Sequence, residues 1–133
     1  MGGTCGGNPL ACAAAIANLD LVEAAIPNVA NLGRAIAKRI HEMSEDHKWI
    51  GDVRGLGAMQ AIELVKDCKT KVPAKDETTA IIKEARDRGA LFLSAGWYNN
   101  VIRLLPPLNM PVDAVEEGLD VIDDSIVAVE KKA

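Results

Sequence analysis

The spacing of the hydrophobic residues changes part of the way along the chain, and this change sets the fold class. In "NVANLGRAIAKRIHEM" the apolar residues recur at steps of three and four, the spacing of an amphipathic helix. They are Val29, Leu32, Ile36, Ile40 and Met43. Within residues 49 to 65, the segment "AMQAIELV" has a period of two instead, and short apolar pieces flank Gly55 and Gly57. This segment predicts a pair of strands arranged as a β-hairpin.

The N-terminal third predicts two helices. Asn8 is suited to an N-cap and Pro9 to the first helical position, so a helix is expected over residues 8 to 24. Pro27 and Asn28 interrupt the pattern. The second helix begins after them and ends between Ser44 and His47.

The C-terminal half predicts a helix, two strands and a last helix. Asp76 is expected to cap a helix that continues to about Arg88 and stops at Gly89. The segments "ALFLS" and "VIRLLPPL" are two short strands around the turn "AGWYNN". Asp113 is expected to cap the last helix, whose apolar stripe consists of Val115, Leu119, Ile122, Ile126 and Val129.

This order of elements predicts an α+β fold in one domain. We expect a small, mainly antiparallel sheet of three to four strands, with helices packed on one face and a long N-terminal helix before it. The length of 133 residues suits a single hydrophobic core.

Charge and composition exclude some classes of partner. The chain has 15 Lys and Arg against 19 Asp and Glu, a net charge of -4 with both signs interspersed, so no basic stripe is present for a nucleic acid. Uninterrupted apolar runs fall short of the roughly 18 residues of a membrane span, so we expect no membrane and a cytoplasmic location. Three cysteines without metal-ligand spacing predict buried, reduced thiols: Cys5, Cys12 and Cys68.

The opening "MGGTCGGNPL" is a candidate phosphate loop. Glycine backbone N–H groups, the start of a helix and the hydroxyl of Thr4 are all suited to an anion. The loop lacks both the Gly-Lys-Ser/Thr ending of a nucleotide P-loop and the G-x-G-x-x-G spacing. A flexible terminus therefore stays open beside a phosphate site.

Arg103 is the second candidate, because it places a guanidinium in the apolar strand "VIRLLPPL". A buried charge needs a partner, and the planar fork of arginine binds a carboxylate bidentately. That carboxylate could belong to a ligand or to an Asp or Glu of the chain. An outward-facing arginine is a further alternative.

Other polar residues favour structural roles. Asp52 and Arg54 are interpreted as turn and packing residues, and His41 and His47 as solvated surface residues. The aromatic pair "WY" at residues 97 and 98 could line a site or pack in a turn. We identify no catalytic residue and no metal ligand in the sequence.

Four segments together resemble one family in their order and spacing. "GGTCGGNPLACAAA", "IGDVRGLGAMQAIELV", "RDRGALFLSAG" and "NNVIRLLPPLNM" resemble the C-terminal part of class III pyridoxal-phosphate aminotransferases, above all the 4-aminobutyrate aminotransferases. The resemblance covers essentially all of the chain. It implies the small C-terminal domain of the fold type I transferases over residues 25 to 133, a connecting helix over 8 to 24 and a glycine loop over 1 to 7.

The resemblance also implies roles for particular residues. Gly3 and Thr4 of the "GGT" motif would bind the phosphate of pyridoxal 5'-phosphate at a dimer interface, and Arg103 would bind the α-carboxylate of glutamate or 2-oxoglutarate. The partners implied are a large cofactor-binding domain, a second subunit in a homodimer, and an ω-amino acid as amino donor. The "SAGWYNNVIRLLPPL" segment looks more like the 4-aminobutyrate group than the ornithine or acetylornithine groups.

The Schiff-base lysine of the family precedes the "GGT" motif, so the resemblance implies that this chain alone is inactive and binds no cofactor. Two alternatives remain. One is a non-enzymatic α+β module that binds a partner or oligomerises through the helix at residues 8 to 24. The other is a regulatory domain that binds phosphate.

Overall fold

A computed structural model describes residues 6 to 132. Over these residues three helices and four strands follow one another in an order close to the predicted one. They are α1 (Pro9–Asp46), β1 (Ile50–Leu56), β2 (Met59–Leu64), α2 (Lys75–Asp87), β3 (Leu93–Ala95), β4 (Val101–Leu104) and α3 (Val112–Glu130).

The four strands form one antiparallel sheet in the order β1-β2-β4-β3. Ile62 and Ile102 pair across β2 and β4 and are both buried on the side that the helices cover. Their neighbours Ala61 and Arg103 pair on the opposite side. The predicted α+β fold, with an antiparallel sheet and a long N-terminal helix, is confirmed.

The predicted helix break at Pro27 is wrong, because α1 continues through this residue for 38 residues. Proline lacks an N–H and costs about 3 kcal/mol inside a helix. The exposed position of Pro27 keeps its ring away from other elements. The alanines before it favour helix, and the apolar stripe that begins at Leu32 is buried in the core, so the helix persists on both sides. The side chain of Asn8 caps the helix as predicted, accepting hydrogen bonds from backbone N–H groups.

The first half of α1 is exposed. Large apolar side chains project from it, such as Leu10, Ile16 and Leu19, which are 81%, 66% and 65% exposed. An 18-residue window of α1 has a mean hydropathy of 1.5, so the helix is apolar and long enough to cross a membrane by length and composition alone. No uninterrupted apolar run within α1 reaches this length; scattered alanines raise the mean hydropathy, and the expectation of no membrane stays a prediction. The same composition fits a helix that packs on another protein surface.

The two aspartates predicted as caps are each the second residue of their helix rather than its N-cap. Ala74 and Pro111 occupy the N-cap positions, and Asp76 and Asp113 stand in the first turns. Carboxylates in the first turn still stabilise a helix, because they face the positive end of its dipole. The predicted stop at Gly89 is confirmed by its φ of 97°, which is accessible to glycine.

The described cysteines are free but exposed, whereas buried thiols were expected. Cys12 lies on the exposed half of α1, and Cys68 lies in the polar loop after β2. Both cysteines are exposed because the segments that carry them are exposed, although the cysteine side chain itself is apolar enough to be buried.

The backbones of α1 and the β1–β2 turn come close together at two glycines. A Cβ atom built on Gly33 would lie 2.6 Å from the carbonyl carbon and oxygen of Gly57. Gly57 itself has a φ of 55°, which favours glycine. Because both residues lack side chains, α1 packs directly on the hairpin.

His47 is buried, so the prediction of a solvated histidine is wrong. Its ring is 5% exposed, with Nε2 2.6 Å from Asp123 Oδ1 and Nδ1 3.3 Å from Glu130 Oε2. Arg39 Nη2 lies 2.6 Å from the other oxygen of Asp123. His47 follows Met43 by four residues and so continues the buried stripe of α1, which is the sequence signal that could have located it.

This cluster joins the end of α1 to α3 through Asp123. Burial alone raises the pKa of Asp123, but hydrogen bonds from His47 and Arg39 and the positive charge of Arg39 outweigh it and leave the pKa below 3.8. A carboxyl whose pKa is lowered by folding stabilises the fold above its unfolded pKa. That stabilisation is lost as the pH falls through the lowered value.

We predict that Gly33→Ala lowers the free energy of unfolding by about 1 to 2 kcal/mol, because the new methyl group must displace the backbone of Gly57. Gly118→Ala is the matched control, since it is also a helical glycine and a Cβ there meets only Phe92 Cζ at 4.0 Å. It should stabilise the protein by up to about 1 kcal/mol through helix propensity. Urea unfolding measures both, and equal effects of the two substitutions would contradict the close approach.

We predict that Asp123→Asn destabilises the protein at pH 7 by about 1 to 3 kcal/mol, because it leaves the buried ring of His47 and the half-buried guanidinium of Arg39 without their carboxylate. The difference from the parent should shrink as the pH falls below 3.8 and through the lowered pKa of Asp123, where the native parent also loses this charge. Asp120→Asn is the control, since Asp120 contacts Arg39 at 3.0 Å but is 66% exposed. Unfolding measured across this pH range tests the prediction, and a difference that stays constant with pH would refute it.

Candidate functional site

The side of the sheet that faces away from the helices, called the open face here, carries two rows of side chains. Cross-strand partners point to the same face of a sheet, so the register defines each row. One row consists of Arg54, Ala61, Arg103 and Leu93, and the other of Asp52, Glu63, Val101 and Ala95. Both rows run across all four strands in the order β1-β2-β4-β3.

Arg103 lies in the middle of the first row and is exposed. Between residues 6 and 132, no carboxylate forms an ion pair with it and no side-chain hydrogen bond reaches it. Of the alternatives that the sequence left open, the structure therefore shows an outward-facing guanidinium without an internal acid among these residues.

The other arginine of the open face is paired on two sides. Arg54 Nη1 lies 2.5 Å from Asp52 Oδ2 and 2.6 Å from Glu63 Oε2. Hydrogen bonds to Asp52 and then to Glu63 raise the pKa of Arg54, against a smaller opposite effect of burial. We call these three residues the open-face triad. Asp52 and Arg54 thus lie within β1 rather than in a turn, which corrects their interpretation from the sequence.

A β-bulge and a buried asparagine align the triad with β4. The register of β1 against β2 shifts between Ile50 and Asp52, which places Asp52 opposite Glu63. Asn100 is 2% exposed, and its Nδ2 donates to the carbonyl of Leu64 at 2.8 Å and lies 3.5 Å from Glu63 Oε1. Asn100 therefore fixes the start of β4 beside the end of β2.

The open face can bind an anion at Arg103. Its row neighbours Ala61 and Leu93 bring no charge, so they leave the guanidinium available on both sides. A guanidinium with free N–H donors binds a carboxylate or a phosphate through two parallel hydrogen bonds.

Gly3 and Thr4, the predicted phosphate ligands, lie outside the described residues, so their role stays a prediction. The described neighbourhood is the start of α1. Its first turn contains no acidic residue, and the N-terminus of a helix favours anions. A Cβ atom on Gly7, just before this helix, would meet nothing within 4 Å in the described part of the chain.

The remaining predictions concern two aromatic side chains, His41 and metal binding. Trp97 and Tyr98 are 92% and 61% exposed in the turn before β4, and whether they line a site stays open. His41 is exposed, as predicted. Over residues 6 to 132 no group of three or more His, Cys, Asp or Glu side chains could hold a metal ion.

Comparison with curated proteins finds several aminotransferases. The chain is 41% identical over 130 residues to a probable 4-aminobutyrate aminotransferase of Bacillus subtilis, covering 96% of this chain and 30% of the relative. It is 41% identical over 124 residues to the 4-aminobutyrate aminotransferase GabT of Escherichia coli and to the 5-aminovalerate aminotransferase DavT of Pseudomonas aeruginosa, covering 92% of this chain and 29% of each relative. The chain thus spans less than a third of the length of these relatives.

Solved structures of transaminases share the fold. An omega-aminotransferase from Paracoccus denitrificans superposes with a TM-score of 0.83 at 27% identity, over 94% of this chain and 28% of that one. A transaminase from work on ancestral reconstruction superposes with a TM-score of 0.86 at 28% identity, over 100% of this chain and 30% of that one.

The family profile described as aminotransferase class III matches residues 1 to 126, nearly the whole chain. Members of this family use pyridoxal phosphate. On the fold, the sequence relatives and this match, the chain belongs to the class III aminotransferases.

Proposed function

We propose that this chain forms the small C-terminal domain of an aminotransferase that moves an amino group from 4-aminobutyrate, or a related ω-amino acid, to 2-oxoglutarate. The products would be succinate semialdehyde and glutamate. The names of the relatives support this donor class, since they include 4-aminobutyrate and 5-aminovalerate aminotransferases. Because the chain spans about 30% of their length, the remaining parts of the site would come from a large domain.

The observation that carries the proposal is the unpaired guanidinium of Arg103 on the open face. All carboxylates on this face within the described chain are engaged by Arg54. Arg103 thus offers its donors to a carboxylate from outside the chain. The α-carboxylate of 2-oxoglutarate or glutamate has the planar shape that a guanidinium binds bidentately.

Binding at Arg103 would also orient the substrate. Two parallel hydrogen bonds fix both the position and the plane of the carboxylate, so the carbon next to it is presented in one direction. The register that pairs Arg103 with Ala61 and Leu93 holds the guanidinium on a rigid strand rather than on a loop.

The start of the chain would contribute to the cofactor site. The donor set suits the phosphate of pyridoxal 5'-phosphate: Gly3 would offer a backbone N–H and Thr4 a hydroxyl, before a helix whose first turn carries no acid. When bound, this cofactor supplies the electron sink for amino transfer. Gly3 and Thr4 would hold its phosphate and leave the reactive end of the cofactor to residues of the large domain.

The partners follow from the same proposal. The exposed apolar side chains of residues 10 to 26 support packing against a large domain, with a second subunit completing the site in a homodimer. The Schiff-base lysine would come from the large domain, so we expect the isolated chain to be inactive and to hold no cofactor. We place the assembled enzyme in the cytoplasm.

A chimera tests the role of Arg103. In it, this chain replaces the matching segment of Escherichia coli GabT, to which it is 41% identical over 124 residues. Arg103→Lys should weaken the use of 2-oxoglutarate by about 10- to 100-fold in kcat/KM, because an ammonium replaces one bidentate, charge-assisted contact. The cofactor content, measured by absorbance, should stay unchanged.

The comparison between substrate use and cofactor retention decides the outcome. A loss of 2-oxoglutarate use with full cofactor content supports carboxylate binding by Arg103. Equal losses of both would show that Arg103 is structural. Arg86→Met serves as the control for removal of an arginine away from the open face, since Arg86 lies on α2 with its guanidinium beside Asp87 at 3.4 Å.

The exposed half of α1 also favours the non-enzymatic alternative, association of the chain through this helix. We predict that the isolated chain self-associates, so that the mass measured by light scattering rises with concentration. Leu19→Lys should reduce this association, because it places a charge in the apolar surface, whereas Leu105→Lys, at a 56% exposed side chain outside the exposed half of α1, should not. A monomer at all concentrations would contradict the prediction.

A further inference from the structure

Two arginines stand in formally equivalent positions on either side of Glu63. Glu63 pairs with Asp52 on β1 and with Val101 on β4. In each neighbouring strand an arginine follows two residues later, Arg54 on one side and Arg103 on the other. All of these side chains share the open face, so Glu63 has one diagonal arginine neighbour on β1 and another on β4.

Glu63 contacts only one of these two arginines in the described chain. Its Oε2 lies 2.6 Å from Arg54 Nη1, while Arg103 makes no ion pair with any residue from 6 to 132. Diagonal neighbours in an antiparallel pair lie within reach of long side chains. The contact with Arg54 shows that an arginine can reach Glu63 along such a diagonal. We therefore expect Arg103 to be able to contact Glu63 along the diagonal on β4.

We propose that Arg54 is a positioning residue that holds Glu63 away from Arg103 and so keeps Arg103 free for the carboxylate of the substrate. This inference rests on the proposed role of Arg103. It adds a specificity-determining residue that contacts no substrate itself, and it assigns a function to the open-face triad of Asp52, Arg54 and Glu63.

The energetic reason is competition for a single guanidinium. A carboxylate attached to the neighbouring strand is always present beside Arg103, whereas the substrate must arrive from solution. If Glu63 occupied Arg103, the substrate would have to displace it, and the apparent affinity would fall by the fraction of time the internal pair is formed. Arg54 removes this competitor because it offers Glu63 a cation that is also held by Asp52 at 2.5 Å.

Two features make Glu63 dependent on Arg54. First, Asp52 lies directly opposite Glu63, and like charges in this position repel each other unless a cation lies between them. Second, the remaining polar contact of Glu63 is the amide of Asn100 at 3.5 Å, which is long for a hydrogen bond. Without Arg54, repulsion from β1 would direct Glu63 towards β4 and Arg103.

The GabT chimera provides the kinetic test. Arg54→Met should raise the KM for 2-oxoglutarate by about two- to fivefold, the range expected for one cross-strand ion pair, with a smaller change in kcat. Arg54→Lys keeps the cation and should stay close to the parent. The double variant Arg54→Met with Glu63→Gln removes the competitor as well, so its KM should return towards the parent value.

The 133-residue chain provides a test that needs no activity. In ¹⁵N NMR spectra, the Nε–Hε resonance of Arg103 should shift in Arg54→Met, because a new carboxylate contacts the guanidinium. It should return towards its original position when Glu63→Gln is added. The resonance of Arg86, away from the open face, is the internal control and should not follow this pattern.

The outcomes separate this inference from the proposed function. An unchanged KM in Arg54→Met, or a raised KM that Glu63→Gln does not reverse, would overturn the inference, and so would an Arg103 resonance that Arg54→Met does not move. If Arg103→Lys leaves 2-oxoglutarate use intact, the proposed function fails instead. The NMR pattern would still decide whether Arg54 governs the contact between Glu63 and Arg103.

Discussion

The antiparallel pairing of β2 with β4 is the constraint on which the rest of the structure depends. Successive side chains of a strand point to opposite faces, so a shift of one residue would exchange the two faces of both strands. In the observed register Ile62 and Ile102 pair within the core and Ala61 and Arg103 pair on the open face. One pairing thus buries the apolar side chains and exposes the guanidinium.

Asn100 and the apolar alternation stabilise this register together. The backbone carbonyl of Asn100 accepts a hydrogen bond from the N–H of Leu64 at 2.7 Å, while its side-chain amide donates to the carbonyl of the same residue at 2.8 Å. A buried asparagine whose backbone carbonyl and side-chain NH2 group are both hydrogen-bonded is costly to displace. A slip of β4 would break these bonds and move Ile102 out of the core. The exposure of Arg103 is therefore a consequence of how the core packs.

Local patterns in the sequence predicted the elements whose burial follows from their own periodicity. The stripe from Leu32 to Met43 and the alternation in β2 each contain enough information to orient their segment. Pro27 shows the limit of such reasoning, because its preference against helix is local while the continuity of α1 depends on the residues on both sides. The position of His47 four residues after Met43 indicates its burial, but its partners Asp123 and Glu130 could not be predicted from that stripe, since they are 76 and 83 residues away.

The sequence identified Arg103 as a candidate site residue, but it did not show which charged side chains surround it. A guanidinium in an apolar strand identified Arg103, yet the sequence left open whether an internal acid neutralises it. Whether Arg103 is neutralised depends on the bulge that brings Asp52 opposite Glu63. It also depends on β1 and β4, which each place an arginine diagonally from Glu63. With Asp52 beside it, Arg54 sits between two carboxylates, whereas Arg103 has the uncharged side chains of Ala61 and Leu93 on its two sides. The same residue type is therefore an internal counter-ion on β1 and an available ligand on β4, because the charges of the neighbouring strands differ.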